Sequence, residues 1–549
     1  MWTLPVRIFR GRRVITMTDA EPDDTTAFAV QGDRVVGTGS AEDLQQVFPA
    51  AAEIDLGDRV VVPGFNDAHQ HLAIMTDNVL AVDVSREAVS STAEIKGRVR
   101  EQAENIPPGT WIRAIWYDPT ELADGRELTR WDLDEAAPAN PVMVVQVSGH
   151  WGVLNSLALE AAGYHELSDP PDGGEFGRDA AGRLTGVVYE QALQDLAYPA
   201  MSHRERVIPP HTREDQLAGL RRAQDQLHAA GITSVCDALV GPDAFDLYQD
   251  AMEQGLLSLR VGMLVAAEHW DHIAALGLRS GFGSDRLRVA GVKVVSDGAI
   301  GGRTCWVSEP FEGTEDHGMS TIDDDELREI VRAVHESGSV VAVHANGDRA
   351  IRRVLDAIAE AVEPTSATRS LRHRIEHCTI VTEDILDDLV ALGVVAVPFS
   401  TYVAYHGNKL LAWYGSERLE RMFPHRSFLD RGIPVAGSSD YPCGPFEPLL
   451  GMQSCVTRRS LADGRLLGGS QRVSPYEALR VYTVGSAYAE GLEGVKGRLA
   501  PGYLADFAVL EDDPLAVDPE RLSTIAVSAT YVGGELVYAK DATLQRVTS

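Results

Sequence analysis

Cysteine and positive charge are both scarce in this chain. Five cysteines occur among 549 residues, and no two of them form a C-x-x-C pair. An odd number of widely separated cysteines argues against a disulfide framework and favours free thiols in a reducing, cytoplasmic compartment. Lysine and arginine number 49 against 81 aspartates and glutamates, which gives a formal net charge of −32. Such a surface repels phosphate, so neither nucleic acid nor a membrane is an expected partner.

Long apolar runs are also missing. No stretch of 18 consecutive apolar residues occurs, so no membrane span is expected. The first residues, "MWTLPVRIFRGRRVITMTDA", are basic but contain no continuous apolar core of signal-peptide length. A composition of 44% hydrophobic and 24% charged residues is that of a globular protein, long enough for one large domain with appendages.

The two ends of the chain share one pattern. Residues 1–60 and residues 495–549 contain short runs that alternate apolar and polar side chains, separated by Gly and Asp turns. This pattern predicts antiparallel strands. We therefore expect residues 1–60 and 495–549 to form one small, discontinuous β-sandwich domain.

The middle of the chain, residues 61–494, alternates Val- and Ile-rich runs with helix-period segments. Continuous apolar runs separated by helices predict parallel strands that are covered on both faces, and eight of them predict a (β/α)₈ TIM barrel. The predicted strands are 59–67, 231–238, 257–266, 287–298, 339–345, 373–379, 393–400 and 433–440. The gap after the first strand is too long for one crossover helix. We therefore predict an inserted cap subdomain over residues 80–225, with its own strand at 141–149.

Polar residues close five of these predicted strands. They are His69, His71, Lys293, His344, His377 and Asp440. Taken singly, a buried histidine is more often a core residue, and "HQH" could be a turn with two solvated imidazoles. In a barrel, however, the C-terminal strand ends meet at one rim, where active sites lie. Six such residues at that rim predict a metal site.

The types of these residues fit together chemically. Four imidazoles and a carboxylate suit Zn²⁺ or a similar divalent ion. Lys293 would be costly as a buried ammonium, but as a carbamate formed with CO₂ it could bridge two metal ions. Two ions that share a hydroxide predict a hydrolase, in which Asp440 takes the proton from the attacking water and passes it to the leaving group.

The chain resembles the amidohydrolase superfamily. The resemblance rests on "DAHQH", "VKVVSDG", "VHANGDRA", "RIEH", "GSSDYP" and "KGRLAPGYLADFAVL", and it covers nearly the whole chain. Within that superfamily, the chain most specifically resembles the YtcJ-like branch, called amidohydrolase family 3, which includes the N-substituted formamide deformylases. The resemblance implies an inner metal ion held by His69 and His71 and an outer ion held by His344 and His377. It further implies carboxylated Lys293 as their bridge and Asp440 as ligand and proton shuttle.

Substrate contacts are less clearly marked. By resemblance, His150 in "SGHWGVLNSLAL" is a candidate, with a structural hydrogen bond inside the cap as the alternative. Arg303 is a candidate for orienting the substrate because it lies in the loop after the fourth strand, with a surface ion pair as the alternative. Trp116 and Tyr117 lie where relatives carry Gly-Trp-Asp, so they could line an apolar pocket or simply pack in the core.

The leading hypothesis is a metal-dependent hydrolase of C–N bonds that acts on an N-substituted formamide or another small amide. An ester, carbamate or cyclic-amide hydrolase on the same scaffold is the first alternative, because the metal-hydroxide attack is shared and the pocket decides. A non-catalytic scaffold is the remote alternative, since such a chain should lack some of the metal ligands. A homodimer is expected from the resemblance alone.

Overall fold

The computed structural model describes residues 4–18, 25–198, 200, 202, 204–362 and 371–541. Its strands are β1 (Val6–Arg10), β2 (Arg13–Val14), β3 (Ala27–Gln31), β4 (Arg34–Gly39), β5 (Ala52–Asp55), β6 (Val60–Pro63), β7 (Phe65–Gln70), β8 (Val82–Asp83), β9 (Ile112–Tyr117), β10 (Val142–Gln146), β11 (Trp151–Leu154), β12 (Gly174–Arg178), β13 (Leu184–Glu190), β14 (Ile232–Val240), β15 (Arg260–Ala266), β16 (Leu287–Val295), β17 (Val341–Ala345), β18 (Arg374–His377), β19 (Val395–Val397), β20 (Phe507–Leu510), β21 (Val527–Val532) and β22 (Glu535–Ala539).

The α-helices of the described residues are given in chain order. They are α1 (Ala41–Val47), α2 (Leu72–Asn78), α3 (Thr92–Glu104), α4 (Arg130–Ala136), α5 (Ser156–Ala161), α6 (Gln191–Ala197), α7 (Arg213–Ala229), α8 (Pro242–Glu253), α9 (Trp270–Ala275), α10 (Asp324–Glu336), α11 (Asp348–Val362), α12 (Glu383–Leu392), α13 (Tyr402–Leu419), α14 (His425–Asp430), α15 (Pro448–Thr457), α16 (Pro475–Arg480) and α17 (Ser486–Ala489). A helix that crosses a membrane needs about 20 largely apolar residues, and none of these helices combines that length with that hydrophobicity.

The predicted barrel is present. In the described part of the chain, β7, β14, β15, β16, β17, β18 and β19 form one sheet in that order. The pairs β7–β14, β15–β16, β16–β17, β17–β18 and β18–β19 are parallel. The eighth predicted strand, 433–440, is not a regular strand. It closes the barrel through separate backbone hydrogen bonds, from Ala436 N to Ala396 O (3.0 Å) on one side and from Ala68 N to Gly437 O (2.9 Å) on the other. The fold class is therefore a (β/α)₈-type barrel whose last strand is irregular.

The strands are apolar because helices cover their outer faces. Valines and isoleucines of β16, β17 and β18 pack against α10, α11 and α12 in one buried cluster. The helices begin where their sequences supply caps: the Asp323 side chain accepts from Asp325 N ahead of α10, and Ser474 and Glu477 form a capping box at α16. Local capping and apolar periodicity thus agree with the barrel, which is why its existence is readable from sequence.

The first predicted strand, 59–67, is a correction. The structure divides it at Gly64: β6 pairs with β20 in a different sheet, and β7 pairs with β14 in the barrel. A Cβ atom at Gly64 would lie 2.2 Å from Thr233 Oγ1, so only glycine permits the chain to pass there. The apolar run is continuous in sequence, but its two halves serve two different sheets.

The two ends of the chain form a sandwich of two sheets. As far as the structure describes it, one sheet has the order β4-β3-β1-β5 and the other β2-β6-β20-β21-β22. Both sheets contribute aromatic rings to one core, where Phe9 stacks on Phe28 and meets Phe507 and Tyr531 edge-on. Each aromatic pair adds about 0.5–1.5 kcal/mol beyond the buried area. This core joins sequences that are almost the length of the chain apart.

The chain divides into two compact units, and the second consists of the described residues of Ala73–Leu220 together with Val240–Leu247. This unit carries its own sheet, in the order β12-β13-β11-β10-β9-β8. Two apolar clusters cover the faces of that sheet, one around Tyr117 and Val144 and the other around Leu154 and Val188. The long segment after β7 is therefore a folded unit with its own core.

The interior of the barrel combines small apolar residues with one large charged residue. Cys236, Ala238, Leu264, Ala290 and Ala342 form a buried cluster inside it. Small side chains leave room for Arg374, which is fully buried and whose Nη1 lies 3.7 Å from Cys236 Sγ. A buried guanidinium must be paired, and its pairing leads directly to the candidate site.

Candidate metal centre

The ends of the barrel strands bring histidines and one aspartate together. Ligand-type atoms of His69, His377 and Asp440 all lie within 4.8 Å of one another. His71 joins them, because its Nε2 lies 3.1 Å from Asp440 Oδ1. The ring of His344 packs against that of His377, with centroids 4.5 Å apart. Five of the six residues predicted as metal ligands are thus in direct or successive contact.

His69 is held in one orientation by a residue that sequence reasoning missed. Its Nδ1 bonds to Glu376 Oε2, and both side chains are completely buried. Burial alone would raise the pKa of Glu376, but Arg374 and His69 hold that pKa far below its usual value. An ionised carboxylate only accepts hydrogen bonds. Therefore His69 donates from Nδ1, and its Nε2 is buried without a hydrogen-bond partner among the described residues.

The geometry around Asp440 fits a cation. His69 Nε2 lies 3.2 Å from Asp440 Oδ1, which also faces His71 Nε2. Two imidazole nitrogens therefore converge on one carboxylate oxygen. Nitrogen ligands with one carboxylate form a donor set that suits a divalent ion such as Zn²⁺.

Buried polar atoms support the same conclusion. Nδ1 of His377 and Nδ1 of His71 are buried without a hydrogen-bond partner among the described residues. Burial lowers the pKa of His71 and holds that of His377 well below its usual value. Burial alone would raise the pKa of Asp440, but His377, His69 and His71 hold it well below normal. Neutral histidines beside an ionised carboxylate are the protonation states that a metal ligand set requires.

The backbone at these residues is strained. His377, Cys378 and Asp440 have φ values of 71°, 41° and 53°, in the left-handed region that non-glycine residues rarely adopt. Such conformations cost about 1–3 kcal/mol each and cluster at functional sites. The strain falls on two of the converging residues, which supports a function for this cluster.

His344 is oriented by a polar network after β16. Its Nε2 lies 3.2 Å from Gly298 O and 3.1 Å from the side-chain nitrogen of Asn346. Asp297 holds the same loop by accepting backbone N–H bonds from Trp306, Asn346 and Gly347. Burial raises the pKa of Asp297 to about 7. Neither Asn346 nor Asp297 was identified as a site residue from sequence, although both lie inside the quoted motifs.

Lys293 lies in β16 and is only 4% exposed. Burial lowers its pKa, while the charges of Glu376 and Asp440 act in the opposite direction. In the barrel sheet Lys293 pairs with Ala342 of β17, two residues before the C-terminal end of β16. A buried amine with a lowered pKa is more nucleophilic than an ordinary lysine.

An aromatic column backs His377. Phe399 stacks on the imidazole at 4.1 Å between centroids, and Tyr402 stacks on Phe399 at 3.9 Å. Both aromatic side chains are buried in an apolar cluster. Their contact with a candidate ligand fixes the plane of its ring, and they make this wall of the site apolar.

The predicted substrate residues fall into two groups. Arg303 is exposed and lies over the Trp413 ring at 5.4 Å, in the same unit as the barrel. The other three lie in the unit of Ala73–Leu220. There Tyr117 is fully buried and its hydroxyl accepts from Leu128 N, a placement that favours the packing role. His150 Nδ1 lies 2.8 Å from Glu190 Oε2, and Trp116 has a φ of 67°.

The fold and the cluster together define a class. A parallel barrel with histidine and aspartate side chains converging at its C-terminal strand ends is an architecture of metal-dependent hydrolases. A family model described as "Amidohydrolase family" matches residues 52–538. The chain belongs to the amidohydrolase family, as the sequence motifs indicated, and is a hydrolase of that superfamily.

Similar proteins support this assignment over nearly the full length. The chain is 32% identical over 548 residues to the putative amidohydrolase YtcJ of Bacillus subtilis (strain 168), covering 97% of this chain and 99% of that protein. It is 30% identical over 535 residues to an N-substituted formamide deformylase of Arthrobacter pascens, covering 96% and 97%. An uncharacterized metal-dependent hydrolase from Pyrococcus horikoshii OT3 has a similar structure, with TM-score 0.77, 26% identity and coverage of 94% and 99%.

Proposed function

We propose that this protein hydrolyses a C–N bond in a small amide, with N-substituted formamides as the substrate class. The observation that carries the proposal is the convergence of His69, His377 and Asp440 within 4.8 Å at the barrel rim. The similarity to an N-substituted formamide deformylase over 96% of the chain selects the substrate class. The acyl side of a formamide is a single hydrogen atom, so the bulk of the molecule is the substituent on its nitrogen. In this proposal an apolar part of the site receives that substituent.

The residues present fit two divalent ions, and zinc matches their donor types best. In this proposal His69 and His71 would hold one ion, His344 and His377 would hold the other, and Asp440 would be a further ligand. Lys293, as a carbamate formed with CO₂, would supply further ligand oxygens. When bound, the ions supply Lewis-acid polarisation of the carbonyl and a lowered pKa for water.

Asp440 has the properties of the proton-transfer residue. It is 6% exposed and its pKa is held well below normal, so it is ionised at neutral pH. An ionised carboxylate at this position accepts a proton from attacking water and returns it to the departing nitrogen. An amine leaves only when it is protonated, so this second transfer is what an amide requires.

The pocket residues complete the proposal. Arg303 orients a polar part of the substrate, and its stacking on Trp413 limits its side-chain freedom. His150 remains a candidate substrate contact by family resemblance and Trp116 by its aromatic side chain, whereas the burial of Tyr117 favours packing. The first alternative is an ester, carbamate or cyclic-amide hydrolase, which would use the same Asp440 and the same histidines.

The test compares amides with matched esters. Protein purified without chelator and with bicarbonate is analysed for metals and assayed on N-alkyl and N-benzyl formamides, the matching acetamides and the matching formate esters. About two divalent ions per chain and preferential release of formate from formamides are expected. Preference for the esters would select the alternative. A failure to bind Zn²⁺ would contradict the metal-dependent mechanism and return the scaffold hypothesis.

A further inference from the structure

Three buried side chains form a continuous chain inside the barrel. Arg374 donates from Nε to Glu376 Oε1 at 2.7 Å and from Nη2 to Glu376 Oε2 at 2.8 Å. Glu376 Oε2 in turn accepts from His69 Nδ1. The side chains of all three residues are at most 1% exposed. Because these side chains are buried, each group depends on the next for its hydrogen bond.

We propose that Glu376 is a positioning residue that sets the tautomer and ring plane of His69, and that Arg374 holds Glu376 in place for this task. The inference deepens the proposed function, because it assigns the group that aims one metal ligand. Glu376 does not itself touch the reacting atoms.

The physical argument starts from the imidazole. A neutral histidine binds a metal ion through a nitrogen that carries no proton, and the hydrogen bond of the other nitrogen selects which one that is. Arg374 donates to both oxygens of Glu376, so Oε2 faces His69 Nδ1 as an acceptor and the other ring nitrogen, Nε2, lies toward Asp440, 3.2 Å away. Carboxylates in this position also raise the basicity of the ligand nitrogen.

Arg374 bonds both to Glu376 and to the strand that carries His69. Its Nη2 donates to Glu376 Oε2 and also to Ala68 O at 2.8 Å. Ala68 immediately precedes His69 in β7, whereas Glu376 lies in β18. The guanidinium therefore locks the carboxylate to the backbone of the strand that carries the histidine. This arrangement fixes the distance between Glu376 and His69 more firmly than a single hydrogen bond could.

The chain offers a matched control. Asp506 also pairs with a buried arginine through two bonds, from Arg260 Nε at 2.5 Å and Nη2 at 2.9 Å. That pair contacts no member of the histidine cluster in any described bond. Glu376→Gln and Asp506→Asn are both isosteric and both remove one charge from a buried arginine pair. Asp506 also accepts from Gly533 N at 2.7 Å, and only Glu376 bonds to His69.

The experiment measures Zn²⁺ affinity by competition with a chromophoric chelator and records the tautomer of His69 in the metal-free protein with ¹⁵N-labelled histidine. The amide of Glu376→Gln carries no charge and replaces one oxygen by an NH₂ donor, which faces either Arg374 Nε or His69 Nδ1, so one of these contacts is lost. Zn²⁺ affinity should fall ~10–100-fold, and the share of His69 protonated on Nδ1 should decrease. Asp506→Asn should lower the thermal midpoint comparably but keep the wild-type affinity and tautomer.

Several results would overturn the inference. Wild-type affinity and an unchanged tautomer in folded Glu376→Gln would do so, and so would an equal loss of affinity in Asp506→Asn, since general loosening would then suffice. If Glu376→Gln does not fold, Glu376→Asp carries the test: its shorter carboxylate should give intermediate affinity, and wild-type affinity would contradict the proposal. If the wild-type protein binds no Zn²⁺, the proposed function fails, whereas the metal-free tautomer still decides the role of Glu376.

Discussion

Two buried aspartates in the same unit have opposite surroundings. Asp506 precedes β20, and its oxygens accept from Arg260, the first residue of β15, and from Gly533 N at 2.7 Å. Burial alone would lower the pKa of Arg260, but Asp506 raises it. Asp440 lies at the other end of the barrel strands, has a φ of 53°, and faces the imidazoles of His69 and His71. The Asp506 carboxylate is therefore paired with a guanidinium, whereas the Asp440 carboxylate has only imidazole partners among its described ion pairs.

The same contrast appears between two buried histidines. His228 uses both nitrogens within the chain, with Nδ1 bonded to Ile232 O at 2.9 Å and Nε2 to Ser258 Oγ at 2.8 Å. His377 has an Nδ1 without a hydrogen-bond partner in the described residues. Buried polar groups that are satisfied internally stabilise a fold, whereas those that are unsatisfied require a reason. This difference distinguishes His228, whose two bonds stabilise the fold, from His377, whose Nδ1 is available to a metal ion.

The strongest test of this contrast is removal of metal. A chelator should abolish amide hydrolysis, and added Zn²⁺ should restore it, because the His69, His377 and Asp440 cluster then regains its shared cation. The structure should persist, since the Arg260–Asp506 pair does not depend on metal. Circular dichroism and activity measured on the same sample check both points. Full activity after complete metal loss would contradict the proposed mechanism.

The next largest effect is expected from Asp440→Asn. An amide cannot accept a proton at neutral pH, so kcat should fall about 10²–10⁴-fold, the usual contribution of a general acid–base group. Asp506→Asn is the comparison, and its folded fraction should keep wild-type kcat. Steady-state kinetics on the best formamide substrate provide the measurement. Equal kcat values in the two variants would remove the distinction drawn between these aspartates.

Stability should respond in the opposite order. Asp506→Asn leaves Arg260 buried without a full partner, and breaking such a pair typically costs about 3–5 kcal/mol. Asp440→Asn should cost less in the metal-free protein, because the described ion pairs of Asp440 are with His69 and His71 and its loss leaves no buried guanidinium unpaired. Urea unfolding of metal-free samples compares the two midpoints. A larger decrease of the urea midpoint in Asp440→Asn than in Asp506→Asn would show that Asp440 also stabilises the fold.

The smallest expected effect is a pH dependence from His228. Burial lowers the pKa of His228 to about 4, so the unfolded chain binds its proton first as the pH falls. The stabilising contribution is therefore present above the unfolded-state pKa of about 6.5 and is lost on acidification toward 4, up to about 3 kcal/mol. His228→Gln, which can donate to Ile232 O and accept from Ser258, should flatten this part of the pH profile of urea midpoints. If the urea midpoint of His228→Gln depends on pH as steeply as that of the wild-type protein, this role of His228 is contradicted.

Much of this architecture follows from local patterns. Seven of the eight predicted barrel strands correspond to regular parallel strands, because Val- and Ile-rich runs between helix-period segments have few other ways to be buried. The residues at the strand ends were identifiable for a related reason. Strand polarity sends every C-terminal end to one rim, so His344 and His377 could be expected to meet without knowledge of the packing.

Other features depended on contacts that no local pattern reports. Residues 59–67 look like one apolar strand, yet the close approach of Thr233 to Gly64 divides the run between two sheets. The roles of Arg374 and Glu376 were missed, although "RIEH" places two opposite charges in an apolar strand. Their partner is His69, 307 positions from Glu376, and only the closed barrel brings them together.

By itself, the sequence determined the family, the barrel and the identity of the six residues expected to hold metal, because motifs and periodicity are local properties of the chain. The tertiary structure decided which atoms of those residues face one another. His69 presents Nε2 because Glu376 accepts at Nδ1, and Glu376 stays ionised because Arg374 is buried beside it. These are electrostatic consequences of burial, and burial is a property of the folded chain alone.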